Sequence, residues 1–103
     1  MSIEIRMNEE NLLAKISGEL DHHTAAAMRT ELDEKISNLN PHKLMLDFSD
    51  VSFMDSSGIG LVMGRYKILS KMGTEFHIVG ASPQIYKIFK LAGIEKLAKL
   101  EGR

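Results

Sequence analysis

The chain has 103 residues, 13 basic against 14 acidic side chains for a formal net charge of −1, and no cysteine. That length suits one domain that buries a single core without disulfides or metals, and the missing thiols exclude a disulfide framework, a thiolate zinc site and a cysteine nucleophile. The balanced, unclustered charge argues against a nucleic-acid or anionic-membrane surface, and no apolar run approaches the roughly 20 residues of a membrane span.

In chain order, Ile3, Ile5 and Met7 alternate with Glu4, Arg6 and Asn8, the period of a half-buried strand. The same stretch has no long apolar core of a signal peptide, so a cytoplasmic protein is expected. Asn8-Glu9-Glu10-Asn11 reads as a turn, and Leu12, Ala14 and Ile16 resume the alternation before Gly18, which predicts a hairpin over residues 2–18. A helix follows, with Thr24 as its expected N-cap and Met28, Leu32, Ile36 and Leu39 as its apolar stripe, ending at Asn40-Pro41. Lys43 to Phe48 is nearly continuous in apolar character, as in a central strand covered on at least one face.

The next stretch, Ser52-Phe53-Met54-Asp55-Ser56-Ser57-Gly58-Ile59-Gly60, lies where that strand-like run gives way to a helix. The helix starts near Ser57 or Gly58, carries Ile59, Val62, Met63, Tyr66 and Leu69 on one face, and stops at Gly73. Glu75 to Val79 reads as a further strand. Ser82-Pro83 opens a third helix with Ile85, Ile88, Phe89 and Ala92 inward, and Gly93 ends it. Ile94 to Leu100 fits either a helical turn or a short last strand. The pattern predicts an α/β fold with a mixed sheet and right-handed crossovers at its parallel steps.

Helix starts present free N–H groups and partial positive charge, so the Asp-Ser-Ser-Gly turn occupies a ready-made anion position. Asp and Ser there are ordinary caps, and Gly is ordinary turn material. The two serines are redundant: with Ser57 as cap, Ser56 keeps a hydroxyl free of structural duty and suited to carry a phosphate. Asp21-His22-His23 does not make a metal site, because adjacent side chains diverge. His42 and His77 read as solvated surface residues. A serine hydrolase would need an oriented His and acid, and Asp-Ser-Ser-Gly departs from the Gly-x-Ser-x-Gly elbow. No Gly-Lys-Ser/Thr follows the glycines, so they make no phosphate-binding loop. Met45, Met63 and Met72 read as core filler, whereas Met54 fits both a buried and an exposed, partner-facing position.

Gly18-Glu19-Leu20-Asp21-His22-His23-Thr24, then Ser52-Phe53-Met54-Asp55-Ser56-Ser57-Gly58, then Gly64-Arg65-Tyr66-Lys67 together resemble the bacterial anti-sigma factor antagonists of the STAS-domain fold. The match is strongest to the sporulation member of that group and covers nearly the whole chain. The resemblance implies one STAS domain over residues 1–103, a mixed sheet of four to five strands packed against about four helices. It implies a switch protein that is not an enzyme and carries no cofactor or metal. The unphosphorylated form of such a protein binds an anti-sigma factor that is also a serine kinase, which frees the sigma factor. The kinase phosphorylates the antagonist, which then lets go, and a serine phosphatase resets it. Matched motif to motif, the phosphorylated residue is Ser56, and Asp21, His22, Met54, Asp55, Ser56, Ser57 and Gly58 fall at the partner-binding surface. No direct nucleic-acid or membrane contact is expected, and the free protein is expected to be a monomer. A STAS-like module that binds a nucleotide or other anion at the helix start, without phosphorylation, is the alternative.

Overall fold

Two-residue periodicity builds the hairpin. In the computed structural model, which describes residues 2–103, β1 (Ser2–Asn8) pairs antiparallel with β2 (Asn11–Leu20) across Glu9-Glu10, with Glu9 at a left-handed φ of 59°. There follow α1 (Ala25–Leu39), β3 (Lys43–Met54), α2 (Ser56–Met72), β4 (Glu75–Ala81), α3 (Pro83–Leu91), a single 3-10 turn (Ile94–Lys96) and β5 (Lys99–Gly102). The tail, which fits either a helical turn or a strand on sequence, contains both in succession. Three α-helices and this short turn stand where about four helices are expected.

The sheet runs β1-β2-β3-β4-β5, and every pairing after the hairpin is parallel. Each parallel step needs a crossover, and right-handed crossovers that advance in one direction place their helices on the same face. Burial follows that rule. Leu12, Ala14 and Ile16 of β2, Leu44, Leu46 and Phe48 of β3, and Phe76 and Ile78 of β4 are buried, whereas Leu13, Lys15, Met45, Asp47 and His77 between them are only half covered. His77 is therefore less solvated than expected. Polar side chains populate this second face, Lys15 pairing with Asp50 at 3.2 Å, so the parallel strands need no second helix layer.

The helices supply the other half of the core. Met28, Leu32 and Ile36 of α1 are buried as expected, but Leu39, at the helix end, is exposed. Ser82 caps α3, its Oγ accepting from Ile85 N at 3.3 Å, and Phe89 meets Phe48 edge-on with ring centroids 5.2 Å apart. α2 departs from expectation. Of its predicted stripe Val62 and Leu69 are buried and Ile59 and Tyr66 pack partly buried against the core, but Met63 is exposed instead of in the core, as is Met72, and Gly58, Leu61 and Arg65 complete the buried face.

Arg65 is the residue of that face the apolar pattern does not predict. Only 4% exposed, it faces α1, where its Nε lies 2.8 Å from Asp33 Oδ1. The contact is an ion pair by distance without hydrogen-bond geometry, and Arg65 Nε and Nη1 are buried with no hydrogen-bond partner. Burial pushes the guanidinium below its ordinary pKa; Asp33 opposes that shift and Arg29 adds to it. The pair ties α1 to α2 within the helical layer, where removing one partner strands the other charge.

Asp33→Ala is expected to destabilise the domain by roughly 2–3 kcal/mol, less than the about 3–5 kcal/mol of a fully buried pair, because the Asp33 side chain is 37% exposed. Urea unfolding checks this, with Asp33→Ala combined with Arg65→Met expected to recover part of the loss. A single variant as stable as wild type would show that the pair contributes nothing.

Candidate functional site

The position of the serine turn is set by β3. Along its second half the buried residues are Phe48, Val51 and Met54, a spacing of three where a regular strand has two. Two register breaks against β2 cause it: Lys15 opposes Asp47 but Ser17 opposes Asp50, and Gly18 opposes Val51 but Glu19 opposes Phe53. Each break places one extra residue in β3, which is a β-bulge. At the first, Asp47 Oδ1 accepts from Ser49 N at 2.9 Å, and Gly80 lies against it at φ 74°, where a Cβ would stand 2.6 Å from that oxygen. At the second, Ser52 and Phe53 are both turned outward, and Phe53 is 51% exposed.

β3 then ends level with β2. Leu20 opposes Met54, and Asp55 N donates to Leu20 O at 3.2 Å, so Asp21 and Asp55 leave adjacent parallel strands side by side. This is the C-terminal edge of the sheet, where α/β folds place their sites.

The cap of α2 differs from expectation. Asp55, not Ser57, is the N-cap: its Oδ1 accepts from Ser57 N at 2.8 Å and its carbonyl from Gly58 N at 3.0 Å. A carboxylate there satisfies free amides and complements the helix dipole, which a hydroxyl does only in part. Ser56 and Ser57 are the first two residues of α2, and neither hydroxyl hydrogen-bonds to another described residue. Ser56 is exposed and Ser57 half-buried.

Of the other predicted contact residues, Met54 and Gly58 are buried and support the turn from beneath. A Cβ on Gly58 would stand 2.5 Å from Met54 Sδ and 3.3 Å from Leu20 Cδ2, so only glycine lets the start of α2 settle on this methionine. The exposed reading of Met54 is thereby overturned, because the second bulge turns Phe53 outward in its place.

Asp21 organises the start of α1. Its Oδ1 accepts from His23 N at 2.9 Å and Thr24 N at 3.1 Å, while Thr24, the expected side-chain cap, accepts from Asp21 N at 3.0 Å through its own Oγ1. Partial burial pushes the Asp21 carboxyl up, and the hydrogen bonds from Thr24 and His23 outweigh it, holding the group below its ordinary pKa. His22 is exposed with its ring 3.9 Å from that of His23. With Ala25 and Arg29 it borders a hollow of about 330 Å³ whose other wall is Ser57, Gly60 and Leu61. Among the described residues no three His, Cys, Asp or Glu converge as metal ligands, and no histidine bonds either serine.

The domain thus presents an exposed serine directly after the Asp55 cap, on the strand-end edge from which Asp21 also leaves the sheet. Residues 2–102 match the family model described as the STAS domain, and the chain belongs to that family. It is 33% identical over 99 residues to the anti-sigma F factor antagonist of Paenibacillus polymyxa, covering 94% of this chain and 85% of the relative. The anti-sigma factor antagonist SpoIIAA in its unphosphorylated form has a similar structure, with a TM-score of 0.83 at 29% identity over 96% of this chain and 87% of that one. The Bacillus cell fate determinant SpoIIAA in the phosphorylated form gives 0.77 at 29% identity, over 96% and 90%. Within the family the chain stands with the anti-sigma factor antagonists, as its motifs imply.

Two outcomes check the caps. Asp55→Ala is expected to cost about 1 kcal/mol and Ser57→Ala well under 0.5 kcal/mol, read from thermal midpoints; the reverse order would return the cap to Ser57. The second concerns pH. Because the pKa of Asp21 is depressed in the folded state, its contribution is present above the unfolded value near 3.8 and lost as pH falls through the folded one. Asp21→Asn is therefore expected to lose less stability than wild type between about pH 5 and pH 2, and parallel urea curves across that window would refute a depressed pKa.

Proposed function

We propose that this protein is a phosphorylation-switched anti-sigma factor antagonist. The observation that carries the reading is Ser56: exposed, free of hydrogen bonds to described residues, and held at the first turn of α2 directly after Asp55, on the sheet edge from which Asp21 also emerges. The unphosphorylated form binds an anti-sigma factor that is a serine kinase, and the sigma factor is released. Transfer of phosphate from ATP to Ser56 Oγ ends that binding, and a serine phosphatase restores it. On this reading the protein is the substrate and not the catalyst. Asp21, His22, Asp55, Ser56 and Ser57 form the contact surface, with Met54 and Gly58 as its support, and the protein works in the cytoplasm as a free monomer.

The switch belongs to binding rather than folding. A phosphoserine adds roughly −1.5 to −2 charges, while the gain from the helix dipole at an exposed terminus is only about 0.3–1 kcal/mol. The Asp55 carboxylate already takes the Ser57 amide and its carbonyl the Gly58 amide, so little refolding follows. In a contact with a partner the same charge, beside Asp55 and Asp21, brings desolvation and repulsion of several kcal/mol. The relative solved in phosphorylated and unphosphorylated forms has this fold in both, which supports a switch without refolding. The anion-binding alternative is disfavoured because the Asp55 carboxylate stands where the anion would sit.

Incubation with ATP and the anti-sigma F factor of Paenibacillus polymyxa is expected to add one phosphate, on Ser56 by peptide mapping, and none to Ser56→Ala, which still binds. Ser56→Asp is expected to keep the thermal midpoint while weakening binding at least about tenfold, or 1.4 kcal/mol. Phosphate on Ser57, or an unmodified wild type, would overturn the assignment.

A further inference from the structure

The second bulge of β3 has an effect that the serine turn does not need. With regular alternation Phe53 would follow Val51 into the core; the extra residue at Ser52 sends it outward instead, at 51% exposure. Bulges that re-aim a side chain cluster next to functional sites. Beyond Asp47 and Val79 no residue of β3 pairs with β4, so this end of the strand lies beside α3. There Phe53 borders a small cleft with Met54, Gln84, Ile85 and Ile88. One turn further along the same side of α3 is Leu91, 81% exposed and the most exposed large apolar side chain among the described residues. Lys87, on the same stripe four residues before Leu91, makes no ion pair with a described residue.

We infer that Phe53, Ile88 and Leu91 form a second, apolar docking surface for the same anti-sigma factor, continuous with the serine turn; the inference rests on the function proposed above. Two features select that occupant. A stable contact covers about 800 Å² per partner, far more than a turn of a few residues offers, so a protein that covers Ser56 must extend over a neighbouring flank. The charge order across this flank is acidic at Asp21 and Asp55, apolar at Phe53 and Ile88, and basic at Lys87. The matching partner surface carries a cation over the turn, an apolar centre and a carboxylate opposite Lys87. Phe53 is the anchor, since aromatic groups at the desolvated centre carry most interface energy.

The test is binding and phosphorylation with the anti-sigma F factor of Paenibacillus polymyxa, comparing wild type with Phe53→Ser, Leu91→Ser, Lys87→Glu and a control, Leu39→Ser, at the far end of α1. Phe53→Ser is expected to weaken binding at least tenfold and Leu91→Ser and Lys87→Glu severalfold. KM for Ser56 phosphorylation is expected to rise with kcat preserved, while Leu39→Ser matches wild type. Circular dichroism confirms folding, and Leu91→Ser and Lys87→Glu decide the matter if Phe53→Ser is misfolded. If all three variants bind within twofold of wild type while wild type is still phosphorylated, the apolar surface is not used, though the proposed function stands. Wild type that is neither bound nor modified removes both. A fall in kcat alone would make Phe53 a positioning residue for the serine turn, and a wild-type dimer on sedimentation that Phe53→Ser dissociates would assign the patch to a second copy of the chain; either result overturns the inference.

Discussion

The parallel pairing of β2 with β3, carried through two bulges to Leu20 opposite Met54, is the constraint on which the site depends. It brings Asp21 and Asp55 together although 33 residues and a whole helix lie between them in the chain. Had β3 kept the flat register, its two extra residues would have carried Asp55 past the end of β2 and out of reach of Leu20 O. The bulges take up that length inside the sheet. They also change the spacing of buried residues from two to three, so Met54 faces inward at the point where α2 must begin and Gly58 can close over it. Backbone register, not side-chain attraction, assembles the two carboxylates.

Two like charges at neighbouring strand ends would repel if each were not used locally. The Asp55 carboxylate is committed to the Ser57 amide of α2 and Asp21 to the amides of His23 and Thr24 just before α1, so each is compensated at the start of a helix. Local compensation also explains why the serines are free. A helix capped by a carboxylate needs no hydroxyl, and both serines become available at no structural cost. On the proposed function, a phosphate at Ser56 would find the Ser57 amide already bonded to the Asp55 carboxylate and that carboxylate next to it, an environment that tolerates added charge in water and opposes it under a partner.

Most of the fold was legible in the sequence because most elements obey a single period. The hairpin, α1 and α3 follow from alternation, helical stripes and the Ser82-Pro83 start, and the parallel order follows from strands separated by helices. The second half of β3 was not legible. Ser49 to Met54 has neither period two nor period 3.6, and a bulge leaves a pattern of three that resembles a loop. The same irregularity hid the outward turn of Phe53, since an aromatic residue in an apolar run reads as core. On α2 the predicted stripe counted only apolar residues, whereas the helix turns Arg65 inward to meet Asp33, a pairing across two helices that no local pattern encodes. At the serine turn the motif marked the start of α2, but the choice between Asp55 and Ser57 as cap depended on backbone geometry at a position where both residue types are good caps.

The proposed switch works through a difference between two affinities, so its parts should be energetically unequal. Moving an equilibrium from 1:99 to 99:1 takes about 10⁴-fold, or roughly 5.5 kcal/mol, and a single phosphate can supply that only against a contact that holds the partner closely over the turn. A turn of small polar residues offers little apolar area with which to hold anything. An adjacent apolar surface that phosphorylation does not touch would provide a constant part of the affinity and keep the partner's charge registered over Ser56, where the variable part is generated. The bulge at Ser52 links the two physically. One inserted residue sends Met54 inward to seat the start of α2 and Phe53 outward beside α3, so the exposed serine and the exposed phenylalanine are consequences of the same break in register.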